Sequence, residues 1–342
     1  MLASEQKLNP KVFHRDVEQE PIRKGFGEGL LLSGERDDNV VALCADLTES
    51  TQMHHFATRF PERFIEVGVS EQNLVTVASG LAHMGKIPFC SSYAMFSPGR
   101  NWEQIRTTIC YNNVSVKIVG SHAGISVGPD GGTHQALEDI ALMRVLPRMV
   151  VVAPCDSIEA RKATLALASN GKPSYLRLAR EKSPIITTEV SPFEIGKANV
   201  LWDKPARPNE FGHSGGDNSE VAIIACGSLV HNALMAASEL WHQGLSATVV
   251  NCHTIKPLDE DIIVSLARRT GAVVTVEEHQ IAGGLGSAVA ELLARKCPVP
   301  MDFVGIDDVF GQSGKPDELL KYYGMDVKGI MTKVRSLIRR KP

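Results

Sequence analysis

The sequence predicts an α/β protein of two domains, each a parallel β-sheet in a three-layer α/β/α arrangement. Three observations predict it. Short apolar runs recur along the whole 342-residue chain, and most are continuous rather than alternating, as strands buried on both faces are. Segments of helical period lie between them, which is the order of a βαβ chain. From about residue 180 to 219 the texture changes, and much of that stretch is rich in Pro, Gly, Asn and Asp, which reads as a break between two units.

In chain order, the expected strands of the first unit are VVALCAD (40–46), FIEVG (64–68), IPFCSSY (87–93), VSVKIVGS (114–121), MVVVAP (149–154) and PSYLRLA (173–179). Between the second and third, EQNLVTVASGLAHMG places Leu74, Val77, Ala78, Leu81 and Ala82 at i, i+3, i+4, i+7 and i+8, one apolar helix face. DSIEARKATLALA opens with Asp156 and has Glu159 three residues on, the pattern of a capping box. In the second unit, VAIIACG (221–227), SATVVNC (246–252), AVVTVEE (272–278) and MDFVGID (301–307) read as strands, with helices LVHNALMAASELWHQG, DEDIIVSLARRTG and GGLGSAVAELLARK between them. The expected division is a first domain over 15–190, a linker and exposed loop over 191–219, and a second domain over 220–340.

Composition narrows the function. A net charge of −3 gives no general electrostatic case for nucleic acid or an anionic membrane surface. No apolar run reaches the length of a bilayer span, and the N-terminal residues lack a signal-peptide core. The seven cysteines are scattered and form no C-x-x-C pair, which argues against a zinc knuckle or a disulfide framework and for a cytoplasmic location.

Ligands of open parallel sheets bind beyond the carboxyl ends of the strands. Asp46 and Ser50 follow the first strand, Glu71 the second, Tyr93 the third, His122, Asp130 and His134 the fourth, and Arg180 the sixth. Glu71 follows an apolar strand, just where an apolar-faced helix begins. It either answers the helix dipole beside an N-cap Ser70, or is a buried acid that holds or transfers a proton at a ligand nitrogen. The loop SHAGISVGPDGGTHQALED exposes backbone N–H groups ahead of a helix, between His122 and His134; it reads as an anion or sugar-hydroxyl site or as a plain PDGG turn. No standard metal-ligand spacing is present in it. Arg180 continues an apolar strand face past the strand end and suits phosphate, and Arg23 suits it too or is a helix surface charge. In the second unit, EEHQIAGGLGSAV is a glycine turn before a helix and a weaker candidate for an anion.

VVALCADLTEST, FIEVGVSEQN, SSYAMF, SHAGISVGPDGGTHQALED and YLRLAR, in this order and spacing, resemble the pyrimidine-binding domain of transketolases, and the segment from about 220 onward resembles their C-terminal domain. The resemblance implies a thiamine-diphosphate enzyme that moves a two-carbon ketol unit from a ketose phosphate to an aldose phosphate. It puts Glu71 on the family's catalytic glutamate, which bonds the pyrimidine ring nitrogen and promotes its imino tautomer. It makes Tyr93 part of the aminopyrimidine pocket and Asp130 the acid that recognises a substrate hydroxyl near the reacting carbons. Arg23, Ser50, His134 and Arg180 match the contacts to the phosphate end of the sugar, with His122 nearby as a further substrate-binding and catalytic group. Asp46 matches a position near the cofactor. Familiar full-length transketolases have two phenylalanines upstream of the tyrosine; this chain has Ile87 and Cys90, with Phe89 and Phe96 positioned to compensate.

One element of that family is missing. No G-D-G…N segment for diphosphate and magnesium appears; PDGG at 129–132 has the wrong context and SGGDN at 214–218 lies in the loop. The resemblance therefore implies the C-terminal subunit of a split transketolase. An N-terminal subunit would hold the diphosphate and the Mg2+ (or Ca2+), in an assembly of two of each chain. Deoxyxylulose-phosphate synthases share GISVGPDGGTHQ but typically carry an arginine where this chain has His122. The β subunits of 2-oxoacid dehydrogenase E1 share the layout but lack D-G-x-T-H-Q. A non-catalytic scaffold subunit of the same fold stands as the alternative from another class.

Overall fold

The structure is a computed structural model and describes residues 2–205 and 219–341. The strands of the first half are β1 (Gln19–Pro21), β2 (Val40–Cys44), β3 (Phe64–Glu66), β4 (Ile87–Tyr93), β5 (Lys117–Ser121), β6 (Val150–Val152), β7 (Ser174–Arg177) and β8 (Lys182–Pro184). Those of the second half are β9 (Asn199–Asp203), β10 (Val221–Ala225), β11 (Ala247–Asn251), β12 (Thr254–Lys256), β13 (Val273–Gln280) and β14 (Met301–Ile306). The first sheet has the order β12-β6-β7-β5-β4-β2-β3 and the second β14-β13-β10-β11-β9, while β1 and β8 form a small antiparallel ribbon.

Both sheets are parallel at their centres because their strands are apolar on both faces. Every residue of β2 is buried: Val41 and Leu43 enter one core cluster, Val40, Ala42 and Cys44 the cluster on the other face. Helix Glu71–His83 covers the first face through Leu74, Val75 and Ala78, and helix Ile22–Arg36 the second through Ile22, Phe26 and Leu30.

Each sheet also carries an antiparallel edge strand. Strand β9, from the segment read as a linker, pairs antiparallel with β11. Strand β12, from the second half of the chain, crosses to pair antiparallel with β6 of the first sheet. The cores merge at this crossover, where Val250, Ile255, Leu285 and Val289 share one cluster with Leu43, Ile118 and Val151. Of the linker and loop expected over 191–219, residues 206–218, with SGGDN at 214–218, lie outside the described residues; on either side of them the Ser219 hydroxyl donates to Asp203 Oδ1 at 3.0 Å.

The helix starting at Ser157 keeps only half of the capping box. Asp156 accepts from the Glu159 N–H at 2.8 Å, but Glu159 accepts from the Cys155 N–H and from Asn251 Nδ2 instead of reaching back to Asp156. Asp156 also takes the Ile186 and Thr187 N–H groups, so these acids fasten neighbouring segments as well as starting a helix.

Candidate active site

The site is built at the carboxyl ends of β4, β5 and β7. Tyr93 closes β4 and lies opposite Ser121, the last residue of β5, so His122 falls beside it. The two rings stack with centroids 3.9 Å apart and planes 25° from parallel. Phe96 follows at 6.0 Å from Tyr93, and the His134 ring meets Phe96 edge-on at 5.3 Å. His122 holds a left-handed backbone with φ 57°, a strained state of about 1–3 kcal/mol for a side-chain-bearing residue.

His122 is buried and its tautomer follows from its partners. Its Nε2 lies 2.8 Å from Arg23 Nη1. A guanidinium only donates, so Nε2 accepts, and Nδ1 carries the proton toward the Ser121 hydroxyl at 2.9 Å. Burial, with the charges of Arg23 and Arg180 adding to it, pushes the His122 pKa down to about 3. The imidazole is therefore neutral at pH 7 and acts as an acceptor.

Arg23 and Arg180 make this corner cationic. Burial and the neighbouring Arg180 depress the pKa of Arg23, and the buried Arg23 Nε has no hydrogen-bond partner among the described residues. Arg180 donates to the Val127 carbonyl at 2.8 Å and to Asp130 at 3.2 Å. Asp130 and, at 3.6 Å, Glu181 offset the Arg180 charge, while Arg23 keeps an unmet donor, an arrangement chemically able to receive an anion.

Glu71 opens helix Glu71–His83 and is only 4% exposed. The Ser70 hydroxyl does not cap that helix; it donates to the Val67 carbonyl at 2.8 Å. The Glu71 carboxylate instead receives Arg100 Nη1, at 3.0 Å from each oxygen. The Arg100 guanidinium lies 4.2 Å over the Phe96 ring, so the acid and the aromatic cluster meet through it.

The structure thus brings together Arg23, Tyr93, His122, Asp130, His134 and Arg180, and links Glu71 to them through Arg100. Asp46 and Ser50 lie in the turn after β2 and, among the described residues, make no hydrogen bond or ring contact with this cluster. Asp46 has φ 59° and its N–H donates to Glu66, whose carboxylate also takes the Gly68 N–H. Ile87, Phe89 and Cys90, expected around the cofactor ring, are placed elsewhere. Ile87 begins β4, about 20 Å from Tyr93 at ~3.3 Å per residue, and lines a groove with Ser33, Arg36 and Asp37 at the opposite sheet edge. Phe89 and Cys90 are fully buried on opposite faces of β4, and burial pushes the Cys90 thiol up to about 12. Alternation along one strand forbids them from sharing a pocket.

The second half of the chain holds the site loop in place. Glu278 accepts from the Ser126 N–H at 2.9 Å and from the Ser228 hydroxyl. Gly124, with φ 93°, is needed there, since a Cβ would stand 2.5 Å from that carboxylate. Gln135 Nε2 donates to the Gln312 carbonyl at 3.0 Å. Arg177, read from the sequence only as a strand residue, is buried against Asp139 at 2.8 Å and donates to the Glu278 carbonyl at 2.7 Å. The other glycine turn is closed: Glu277 accepts from the Leu285 and Gly286 N–H groups, each at 2.7 Å, so the chain's own carboxylate fills the helix start expected to attract an anion.

Two family matches follow this division: the transketolase pyrimidine-binding domain matches residues 19–185 and the transketolase C-terminal domain residues 215–330. The chain belongs to the transketolase family. A protein of Methanocaldococcus jannaschii named as a transketolase C-terminal section is 45% identical over 93% of this chain and 96% of its own. A 6-deoxy-6-sulfo-D-fructose transketolase subunit of a Clostridium species is 40% identical over 96% of this chain and 98% of its own. A solved structure described as a split gene transketolase in an inactive β4 tetramer superposes with a TM-score of 0.85 at 41% identity, covering 94% of this chain and 99% of that one. Human transketolase is 34% identical over 93% of this chain, which spans only 49% of the human protein.

Proposed function

We propose that this chain is the C-terminal subunit of a split, thiamine-diphosphate-dependent transketolase, active with a separate N-terminal subunit in an assembly of two of each. The observation that carries the reading is Glu71: an acid buried at a helix start, joined through one guanidinium to an aromatic wall, with two arginines beyond it.

These residues fit the aminopyrimidine half of thiamine diphosphate. A buried carboxylate suits a ring nitrogen, and Phe96 and Tyr93 offer apolar surface to a flat ring. The diphosphate and its metal are assigned to the other polypeptide of the split enzyme: Arg23 and Arg180 are taken by the anionic end of the sugar, the second glycine turn is filled by Glu277, and among the described residues no group of three or more His, Cys, Asp or Glu is arranged to hold a metal ion. A partner polypeptide supplies that half.

When bound, thiamine diphosphate supplies the nucleophilic carbon and the electron sink for cleaving a ketose carbon–carbon bond. Glu71 holds a proton at the pyrimidine ring nitrogen. Arg23 and Arg180 bind the terminal anionic group of the sugar, and neutral His122 keeps Arg23 aimed by accepting from it. His134 joins the two arginines at that anionic end, and Asp130 faces a sugar hydroxyl near the reacting carbons. The β12 crossover and the contacts of Glu278 hold the site loop at fixed distance from these groups, which is the role assigned to the C-terminal domain.

The test is Glu71→Gln in the complex reconstituted with the N-terminal subunit. Turnover of a ketose phosphate falls by roughly 10²–10⁴ while assembly is unchanged. An unaltered rate would favour the scaffold alternative, and a preference for pyruvate over a ketose phosphate would favour the other thiamine-diphosphate families.

A further inference from the structure

We propose that Arg100 is a placeholder for the coenzyme ring: it occupies Glu71 and Phe96 in the free chain and swings away when a planar heterocycle enters. The inference rests on the reading of Glu71 given above and adds a residue that competes for that acid.

A heteroaromatic ring held at this place needs a hydrogen-bonding edge on the carboxylate and an apolar face on an aromatic side chain. The guanidinium of Arg100 meets both needs at once. It is flat, its Nη1 spans the two Glu71 oxygens at 3.0 Å, and its plane centre lies 4.2 Å from the Phe96 centroid. Both contacts must break before another ring can take the same positions.

The two partners differ in freedom. The Glu71 side chain is 5% exposed and that of Arg100 is 51% exposed, so the arginine covers the acid from the solvent side. The backbone around Arg100 is fixed. Its N–H donates to the Phe96 carbonyl, its carbonyl accepts from Gln72, and fully buried Asn101 donates to the Glu71 carbonyl at 2.8 Å. Among the described residues, Glu71 is the polar partner of the Arg100 side chain. Rotation of one half-exposed side chain therefore uncovers the acid, with no movement of the helix that carries it.

A site whose open form is only partly populated binds its ligand more weakly by that fraction. Removing the competing side chain should thus tighten binding, the opposite of what loss of a binding residue does. Thiamine diphosphate affinity is measured by titration calorimetry in the reconstituted complex for wild type, Arg100→Ala, Arg100→Gln and Glu71→Gln. Arg100→Ala is expected to bind about three- to tenfold more tightly, with Arg100→Gln following it if the alanine variant folds poorly. In the free chain, Arg100→Ala lowers the urea midpoint by leaving a buried acid unpaired, and adding Glu71→Gln recovers most of that loss. Unchanged or weaker coenzyme binding in the Arg100 variants overturns the placeholder and leaves the Glu71 assignment standing if Glu71→Gln still weakens binding. Wild-type affinity in Glu71→Gln overturns the underlying reading and the placeholder together.

Discussion

Two glycine-rich turns of this chain look alike in sequence and differ in what they do. The first, Gly124 to Gly132, lies between His122 and His134 and receives Arg180 on Val127 and Asp130, while Arg23, with its unmet Nε, bonds the adjoining His122. The second, Gly283 to Gly286, starts helix Leu285–Lys296 and is sealed by the chain's own Glu277. Both turns take an internal carboxylate, Glu278 on the Ser126 N–H in the first and Glu277 on the Leu285 and Gly286 N–H groups in the second, and only the second leads straight into an α-helix. What separates the candidate binding site from the structural joint is the pair of arginines, Arg23 and Arg180, beside the first.

The largest effect expected from breaking this contrast is at the closed turn. Glu277→Ala leaves two buried N–H groups without an acceptor and should cost about 2–4 kcal/mol in urea unfolding, with no change in the Michaelis constant of the reconstituted enzyme. At the open turn the pattern should reverse. Arg180→Ala is expected to raise the Michaelis constant for a ketose phosphate by about 10- to 100-fold, with little change in the unfolding midpoint. A normal Michaelis constant would remove the anion site from this corner.

A pH experiment sharpens the same contrast. His122 has its pKa lowered from 6.5 to about 3 by burial first and by the nearby arginines next. The unfolded chain therefore takes up this proton before the folded one. The stability tied to the neutral ring is present above pH 6.5 and is lost as pH falls toward 3. In His122→Asn, stability between those limits should fall less steeply than in wild type; parallel curves would contradict the neutral, Arg23-bound imidazole. The smallest effect is from a ligand fragment. Millimolar phosphate should raise the melting temperature of the wild-type chain by about 1–3 °C and leave an Arg23→Ala, Arg180→Ala double variant unmoved.

The central strands were legible in the sequence because burial on both faces leaves a continuous apolar run, as in Val40–Cys44 and Val221–Ala225. The edge strands β9 and β12 were not. Strand β12 is only three residues long, and β9, as long as β2, is a partly exposed segment whose place is set by pairing with residues far along the chain. The groups gathered around His122 were legible because strand ends in a parallel sheet converge on one edge. The cofactor-ring residues misled for the opposite reason: Ile87, Phe89 and Cys90 lie near Tyr93 in sequence but along the body of the strand, where alternation and length carry them away. Arg100 gave no signal. In SPGRN it reads as a turn residue, and only the fold brings it over an acid 29 positions earlier.

The most direct test of the split site is to assay ketol transfer from a ketose phosphate with this chain alone, with the N-terminal subunit alone and with the two mixed. Half a coenzyme site on each polypeptide predicts activity in the mixture only, saturating at equal amounts of the two chains. Full turnover from this chain by itself would contradict it.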